Sequence, residues 1–178
     1  METTLSDKAK KIRLLICDVD GVLTSGALFY GPTGSEIKDF NVHDGLGMKL
    51  LQKSGVHVAI ITAKKSDAVT LRMQDLGIEH VYQAQSDKWL AYTDLKQKLG
   101  VNDMDIAYIG DDLPDLPLLA RVGLPVSVPN APKVIHEHVA FVTETPGGQG
   151  AVRELCEFIM KAQGTWHSSV NDYLQRLS

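Results

Sequence analysis

Two aspartates, Asp18 and Asp20, stand one residue apart after the apolar run Leu14-Leu15-Ile16-Cys17 and just before Gly21. Residues at i and i+2 of an extended chain point to the same side, so both carboxylates are expected to face one point. Held that close, two anions repel unless a cation or a shared proton intervenes. A hard divalent ion with oxygen ligands, such as Mg²⁺, is the simplest resolution. A second acidic step, Gly110-Asp111-Asp112, follows another apolar stretch, and Thr62 and Lys88 lie between the two. This set suits phosphoryl transfer through a covalent intermediate. Asp18 would attack phosphorus as a carboxylate nucleophile. Asp20 would protonate the leaving alkoxide and then take a proton from the hydrolytic water. Mg²⁺ held by Asp18, the backbone carbonyl of Asp20 and Asp111 would neutralise charge between nucleophile and phosphate. Thr62 and Lys88 would hold the remaining phosphoryl oxygens.

Plainer explanations exist for each piece. An Asp-x-Asp-Gly run also opens calcium loops, but the EF-hand form needs glycine at its sixth position and glutamate at its twelfth. Leu23 and Phe29 occupy those places. Gly-Asp-Asp alone is a common turn, Thr62 alone a strand-end hydroxyl, and Lys88 alone a solvated helix residue. The signal is their joint occurrence in this order. A signalling receiver domain also forms an aspartyl phosphate, but its acidic pair sits on the first strand and its acceptor on a later one. A binding protein on the same scaffold would be expected to lack one of Asp18, Asp20, Lys88 or Asp111.

The positioning elements follow from periodicity. Ile12–Cys17, Val56–Thr62, Glu79–Tyr82, Ile106–Ile109, Pro125–Val128 and Ala140–Thr143 are predicted strands. Helical spacing covers Leu46–Lys53, Asp67–Leu76, Asp87–Leu99, Leu113–Arg121, Pro132–Glu137 and a last helix over 150–162. Continuous apolar strands alternating with helices predict an α/β fold, a doubly wound parallel sheet covered on both faces. Ligands of such sheets bind at the carboxyl ends of the strands, where Asp18, Asp20, Thr62, Lys88 and Asp111 fall. Ala27–Tyr30 and Glu36–Asn41, around Gly31-Pro32-Thr33-Gly34, predict a small β-hairpin insertion that needs something to pack on. The tail over 165–178 shows no clear period, so a mobile and a docked segment both remain open.

With 178 residues, 44% of them hydrophobic, one domain over 1–178 with a sizeable core is expected. A formal net charge of −4 gives no footprint for nucleic acid. Cys17 and Cys156 form no metal or redox spacing, and both are expected to be buried thiols. No run is long enough for a signal-peptide core or a membrane span, which predicts a soluble cytoplasmic protein.

The motifs Asp18-Val19-Asp20-Gly21-Val22-Leu23-Thr24, Thr62, Lys88 and Gly110-Asp111-Asp112-Leu113-Pro114-Asp115 together resemble the haloacid dehalogenase-like phosphatases over nearly the whole chain. The spacing leaves no room for a cap domain. The chain is most similar to capless members, in which a hairpin stands in place of the cap. Phe40-Asn41-Val42-His43-Asp44-Gly45-Leu46-Gly47 and Gly147-Gly148-Gln149-Gly150-Ala151-Val152-Arg153-Glu154 look like signatures of that group. The resemblance implies a Mg²⁺-dependent phosphatase for an eight-carbon sugar acid phosphate in lipopolysaccharide biosynthesis, or alternatively one for a nine-carbon acid or a broad phosphatase of small sugar phosphates. It implies a homotetramer with each hairpin near a neighbour's active site. It also implies substrate contacts from Asp20, Asn41, Val42, His43, Asp44, Gly45, Lys49, Lys64, Arg72 and Lys88. Members commonly carry Arg where this chain has His43, Lys49, Lys64 and Gln149. A lysine keeps the charge without the planar fork of a guanidinium.

Overall fold

The apolar runs form the strands that their composition predicts. The computed structural model describes residues 4–175. The chain opens with α1 (Leu5–Lys10), β1 (Leu14–Cys17) and the hairpin strands β2 (Phe29–Tyr30) and β3 (Glu36–Ile37). Next come α2 (Val42–Lys53), β4 (His57–Ile61), α3 (Asp67–Leu76), β5 (His80–Tyr82) and α4 (Lys88–Leu99). Then follow β6 (Ile106–Ile109), α5 (Leu116–Leu119), β7 (Leu124–Ser127) and α6 (Lys133–His136). The described chain closes with β8 (Phe141–Val142), α7 (Ala151–Ala162) and α8 (Trp166–Leu174).

Six strands make one parallel sheet in the order β5-β4-β1-β6-β7-β8, while β2 and β3 pair antiparallel in a separate ribbon. Every residue of β1 and β6, and all of β4 except His57, is buried, as strands covered on both faces require. On one side α1 and α2 pack against α7, and a second pair is formed by α4 with α5. From β1 the chain winds outward to β4 and β5, then returns to β6 on the other flank of β1. A crevice opens where the winding reverses, at the carboxyl ends of the central strands. No helix among the described residues is long and apolar enough to cross a membrane.

Several boundaries differ from the sequence-based expectation, each for a local reason. α2 starts at Val42 instead of Leu46 because Asn41 Oδ1 accepts the His43 N–H at 2.8 Å and caps the helix. The predicted helix Leu113–Arg121 divides into a 3₁₀ turn over Leu113–Asp115 and the single turn of α5. Pro114 and Pro117 lack the N–H that a continuous helix would need, so each is held in a first turn. α1 was hidden in a polar segment. It is started by a capping box in which Thr4 Oγ1 takes the Asp7 N–H and Asp7 answers the Thr4 N–H.

Most of the tail is helical. Trp166, Val170, Tyr173 and Leu174 stand at i, i+4, i+7 and i+8, a helical stripe broken up by polar neighbours. The Trp166 ring packs on the core and lies under Arg153 and Lys161, each 5.4 Å from its centroid. Lys53 of α2 pairs with Asp172 of α8. Residues 176–178 of the predicted tail lie outside the described residues.

Candidate active site

The acidic loop begins where β1 ends. The Asp18 N–H still donates to the Ile109 carbonyl at 3.0 Å, so the β1–β6 ladder carries the first aspartate into the crevice. The chain then doubles back, with the N–H groups of Val22, Leu23 and Thr24 all reaching the Val19 carbonyl. Gly21 makes this turn at φ +88°, and a Cβ there would stand 2.0 Å from Asp111 Oδ2. Only glycine lets the two acidic loops meet. Gly147 presses on the same turn from outside, where a Cβ would lie 1.8 Å from the Gly21 carbonyl oxygen.

Lys88 is the first residue of α4, a position where the helix dipole disfavours a cation. Carboxylates offset that cost. Its Nζ lies 2.8 Å from Asp18 Oδ1 and 2.6 Å from Asp115 Oδ1, and it donates to the Tyr108 hydroxyl at 3.1 Å. The side chain is 2% exposed. Burial alone would depress this ammonium, but Asp18 and Asp115 outweigh it and hold its pKa above the usual lysine value. Asp115 is saturated. Besides Lys88 its Oδ1 accepts from Tyr108 at 2.6 Å, and its Oδ2 accepts the N–H groups of Asp111 at 2.8 Å and Asp112 at 3.1 Å. It therefore fixes the loop that presents Asp111.

Burial pushes the Asp18 carboxyl up to about 6, with Lys88 pulling it down and Asp115 pushing it further up. Asp111 is raised to about 7, first by burial and then by repulsion from Asp18, Asp115 and Asp112. One oxygen each from Asp18, Asp111 and Asp115 falls within 4.8 Å of the others. Because donors occupy both Asp115 oxygens, Asp18 and Asp111 are the side chains free to hold a cation. Two carboxylates, one buried and one half-buried, whose protons are held up chiefly by desolvation fit a divalent ion of the magnesium class, which binds through one or two carboxylates and keeps waters.

This has a thermodynamic consequence. Without metal, the folded pKa values of Asp18 and Asp111 exceed the ordinary 3.8. Between about pH 4 and 7 the folded chain then binds more protons than the unfolded one, so their contribution to stability falls as pH rises. Mg²⁺ must displace those protons below pH 6 to 7, weakening its binding by about tenfold per pH unit for each proton displaced. The Tm increment from Mg²⁺ over EDTA is therefore expected to grow from pH 5 to pH 8. A pH-independent increment would exclude Asp18 and Asp111 as the ligands.

Asp18, Asp20, Thr62, Lys64, Lys88 and Asp111 all line one cleft of about 280 Å³. The other predicted substrate contacts stand elsewhere within this chain. Arg72 Nη2 donates to the Asn41 carbonyl at 3.3 Å and lies over Gly45, where a Cβ would meet it at 2.3 Å. Val42 and Lys49 are exposed on α2. His43 borders a separate cleft with Gln149 and Arg153. Asp44 is buried against the start of α7, accepting the Arg153 N–H at 2.7 Å. Burial pushes its carboxyl up to about 6 while the backbone donors of α7 pull it down. Asp20 does not join the carboxylate cluster through its side chain, which bonds Lys38. The sequence leaves open whether Asp112 or Asp115, both in the Gly110–Asp115 motif, acts on the metal shell, and it gives Lys38 no role. Asp115 closes that motif four residues after Asp111, across a proline turn. Cys17 and Cys156 are free and buried, and burial pushes both thiols up.

Similarity to known proteins agrees with this geometry. The sequence pattern of the haloacid dehalogenase-like hydrolase family matches residues 62–155, over half of the chain. The 3-deoxy-D-manno-octulosonate 8-phosphate phosphatase of Salmonella typhi is 46% identical over 164 residues, covering 92% of this chain and 87% of that protein. The chain belongs to the haloacid dehalogenase-like hydrolases. Within that family, the solved phosphatase of the same name from Moraxella catarrhalis superposes with a TM-score of 0.92 at 43% identity. The match covers 95% of this chain and 97% of that one, whose crystal holds a magnesium ion, a phosphate ion and a KDO molecule. The Yersinia pestis phosphatase gives 0.90 at 45% identity over 92% and 88% of the two chains. The haloacid dehalogenase-like core here carries only the short β2–β3 ribbon where larger members have a cap.

Proposed function

We propose that this protein is a Mg²⁺-dependent phosphatase acting on 3-deoxy-D-manno-octulosonate 8-phosphate, releasing the sugar acid for lipopolysaccharide biosynthesis. The observation that carries the reading is the convergence of Asp18, Lys88 and Asp111 in one cleft, in a chain 46% identical to a phosphatase of that name. An Asp18 oxygen attacks phosphorus as the bond from phosphorus to the sugar oxygen breaks. Asp20 enters as the acid and gives its proton to that oxygen. It then takes a proton from a water whose oxygen attacks phosphorus, and the bond to Asp18 breaks, restoring both side chains. Lys88 holds Asp18 in place, and Thr62 offers a hydroxyl to the phosphoryl oxygens. Asp18, Asp111 and the Asp20 carbonyl would hold magnesium, which would supply neutralising charge for the phosphoryl transfer.

Lys64, beside Asp20 in the cleft, is assigned to the phosphorylated substrate. The stretch Asn41–Gly45 with Lys49 and Arg72 is assigned to the sugar acid, with Asp44 anchoring the turn that presents them. The assay is phosphate release from the eight-carbon acid beside a nine-carbon ulosonate 9-phosphate, with Mg²⁺ and with EDTA. A Mg²⁺-dependent preference for the eight-carbon acid is expected. Preference for the nine-carbon acid would make His43, Lys49 and Lys64 the specificity determinants, and flat turnover would remove the pathway assignment.

A homotetramer in the cytoplasm belongs to the same proposal. Leu28, Phe29, Tyr30 and Ile37 leave an apolar ribbon about half exposed or more, the kind of surface that a partner covers. Sedimentation is expected to give four chains for the native protein and fewer for Tyr30→Glu. A native monomer would reject the assembly and leave the chemistry untouched. Free, buried cysteines accord with a reducing compartment.

A further inference from the structure

Asp20 is held from the hairpin. Its Oδ1 accepts Lys38 Nζ at 2.5 Å, from a residue that directly follows β3 and whose side chain is 4% exposed. The same ammonium donates to Glu36 Oε1 at 3.1 Å, and Lys64 Nζ lies 3.8 Å from that Glu36 oxygen. Alternating charges thus run from the ribbon into the cleft through Asp20, Lys38, Glu36 and Lys64. The side chains of Phe29, Tyr30 and Ile37 on the same ribbon face outward, so an enclosed lysine beside them is no ordinary surface charge. Burial opposes its charge, but Asp20 and Glu36 outweigh burial and hold the ammonium protonated.

We propose that Lys38 is a positioning residue for the proton donor of the reaction. The inference rests on the reading of Asp20 as that donor. By engaging Oδ1, Lys38 fixes the carboxyl plane and leaves Oδ2 to carry the transferable proton. That proton passes from Oδ2 to the ester oxygen as its bond to phosphorus breaks and the bond from Asp18 forms. Lys38 keeps its own protons throughout. General acid catalysis depends on such placement, since the donor must lie within hydrogen-bond reach of the atom that it protonates. The hairpin thereby becomes part of the catalytic unit as well as a surface for assembly.

The need for an acid depends on the leaving group, which separates this role from simple charge or folding effects. A sugar alkoxide requires a proton, whereas 4-nitrophenolate leaves without one. Relative kcat/KM is measured for Lys38→Met, Lys38→Arg and Asp20→Asn on 3-deoxy-D-manno-octulosonate 8-phosphate and on 4-nitrophenyl phosphate. Taking the ratio of the two substrates on one preparation cancels the fraction of active protein. Lys38→Met is expected to lose about tenfold or more on the sugar phosphate and less than about threefold on the aryl phosphate, with Lys38→Arg recovering most of the loss. Equal losses on both substrates for Lys38→Met, with Asp20→Asn still discriminating between them, would overturn the positioning role alone. Failure of Asp20→Asn itself to discriminate would overturn the donor assignment and the inference with it.

Discussion

Asp18→Asn is expected to lower turnover by about 10⁴-fold or more, the scale seen when a covalent nucleophile is removed. The amide matches the carboxylate in shape but is a poor nucleophile toward phosphorus, and it carries no charge for the divalent ion. Its folding effect should have the opposite sign. Asp18 is buried with a carboxyl pushed up to about 6, so its ionisation costs stability that is fully lost above that pH. The asparagine variant is expected to melt no lower than the native protein in EDTA at pH 8. Phosphate release, thermal melts and acid-quench trapping of the phosphoenzyme check the three parts. Near-normal turnover in this variant would reject the covalent mechanism, whatever the melting curve shows.

Lys88→Met is expected to damage both chemistry and fold. The substitution preserves much of the side-chain length but leaves Asp18, Asp111 and Asp115 in one buried cluster without their shared cation. Removing one member of a buried ion pair typically costs about 3–5 kcal/mol, because the remaining charge stays desolvated. Turnover is expected to fall by about 10²- to 10³-fold, as when one preorganised electrostatic contact is lost. Urea unfolding in EDTA measures the first effect. The loss should be largest at pH 8, where Asp18 and Asp111 are ionised, and smaller at pH 5, where their protonation relieves the repulsion. Mg²⁺ should restore part of the loss by taking over the charge balance at Asp18 and Asp111. A loss below about 1 kcal/mol at pH 8 in EDTA would mean that the cluster does not depend on the lysine, contrary to the burial of its side chain.

The places of the acidic residues at strand ends were legible in the sequence because they depend on short spacings. Asp18 and Asp111 each follow a strand whose apolar composition marks it as central. The expected shared side of Asp18 and Asp20 was not realised, because β1 ends at Cys17 and the turn sends the Asp20 carboxylate to Lys38. The buried strands and most helices were equally plain, since periods of two and 3.6 are local properties. The tail helix was not legible, because polar neighbours break up the stripe of Trp166, Val170, Tyr173 and Leu174. What the sequence could not show is which distant groups would meet. The strand order places β1 between β4 and β6, and only that order brings Lys88 within reach of Asp18 and Asp115. Asp44 belongs to a motif that suggested substrate contact, yet its carboxylate caps α7 across 109 residues. Lys38 looked like one charge on a small hairpin until the fold laid it on Asp20. Spacing along the chain determines which side chains share a face, because backbone geometry repeats over a few residues. Which buried charges become partners is decided by packing, because only the assembled sheet removes the water that would otherwise solvate each of them alone.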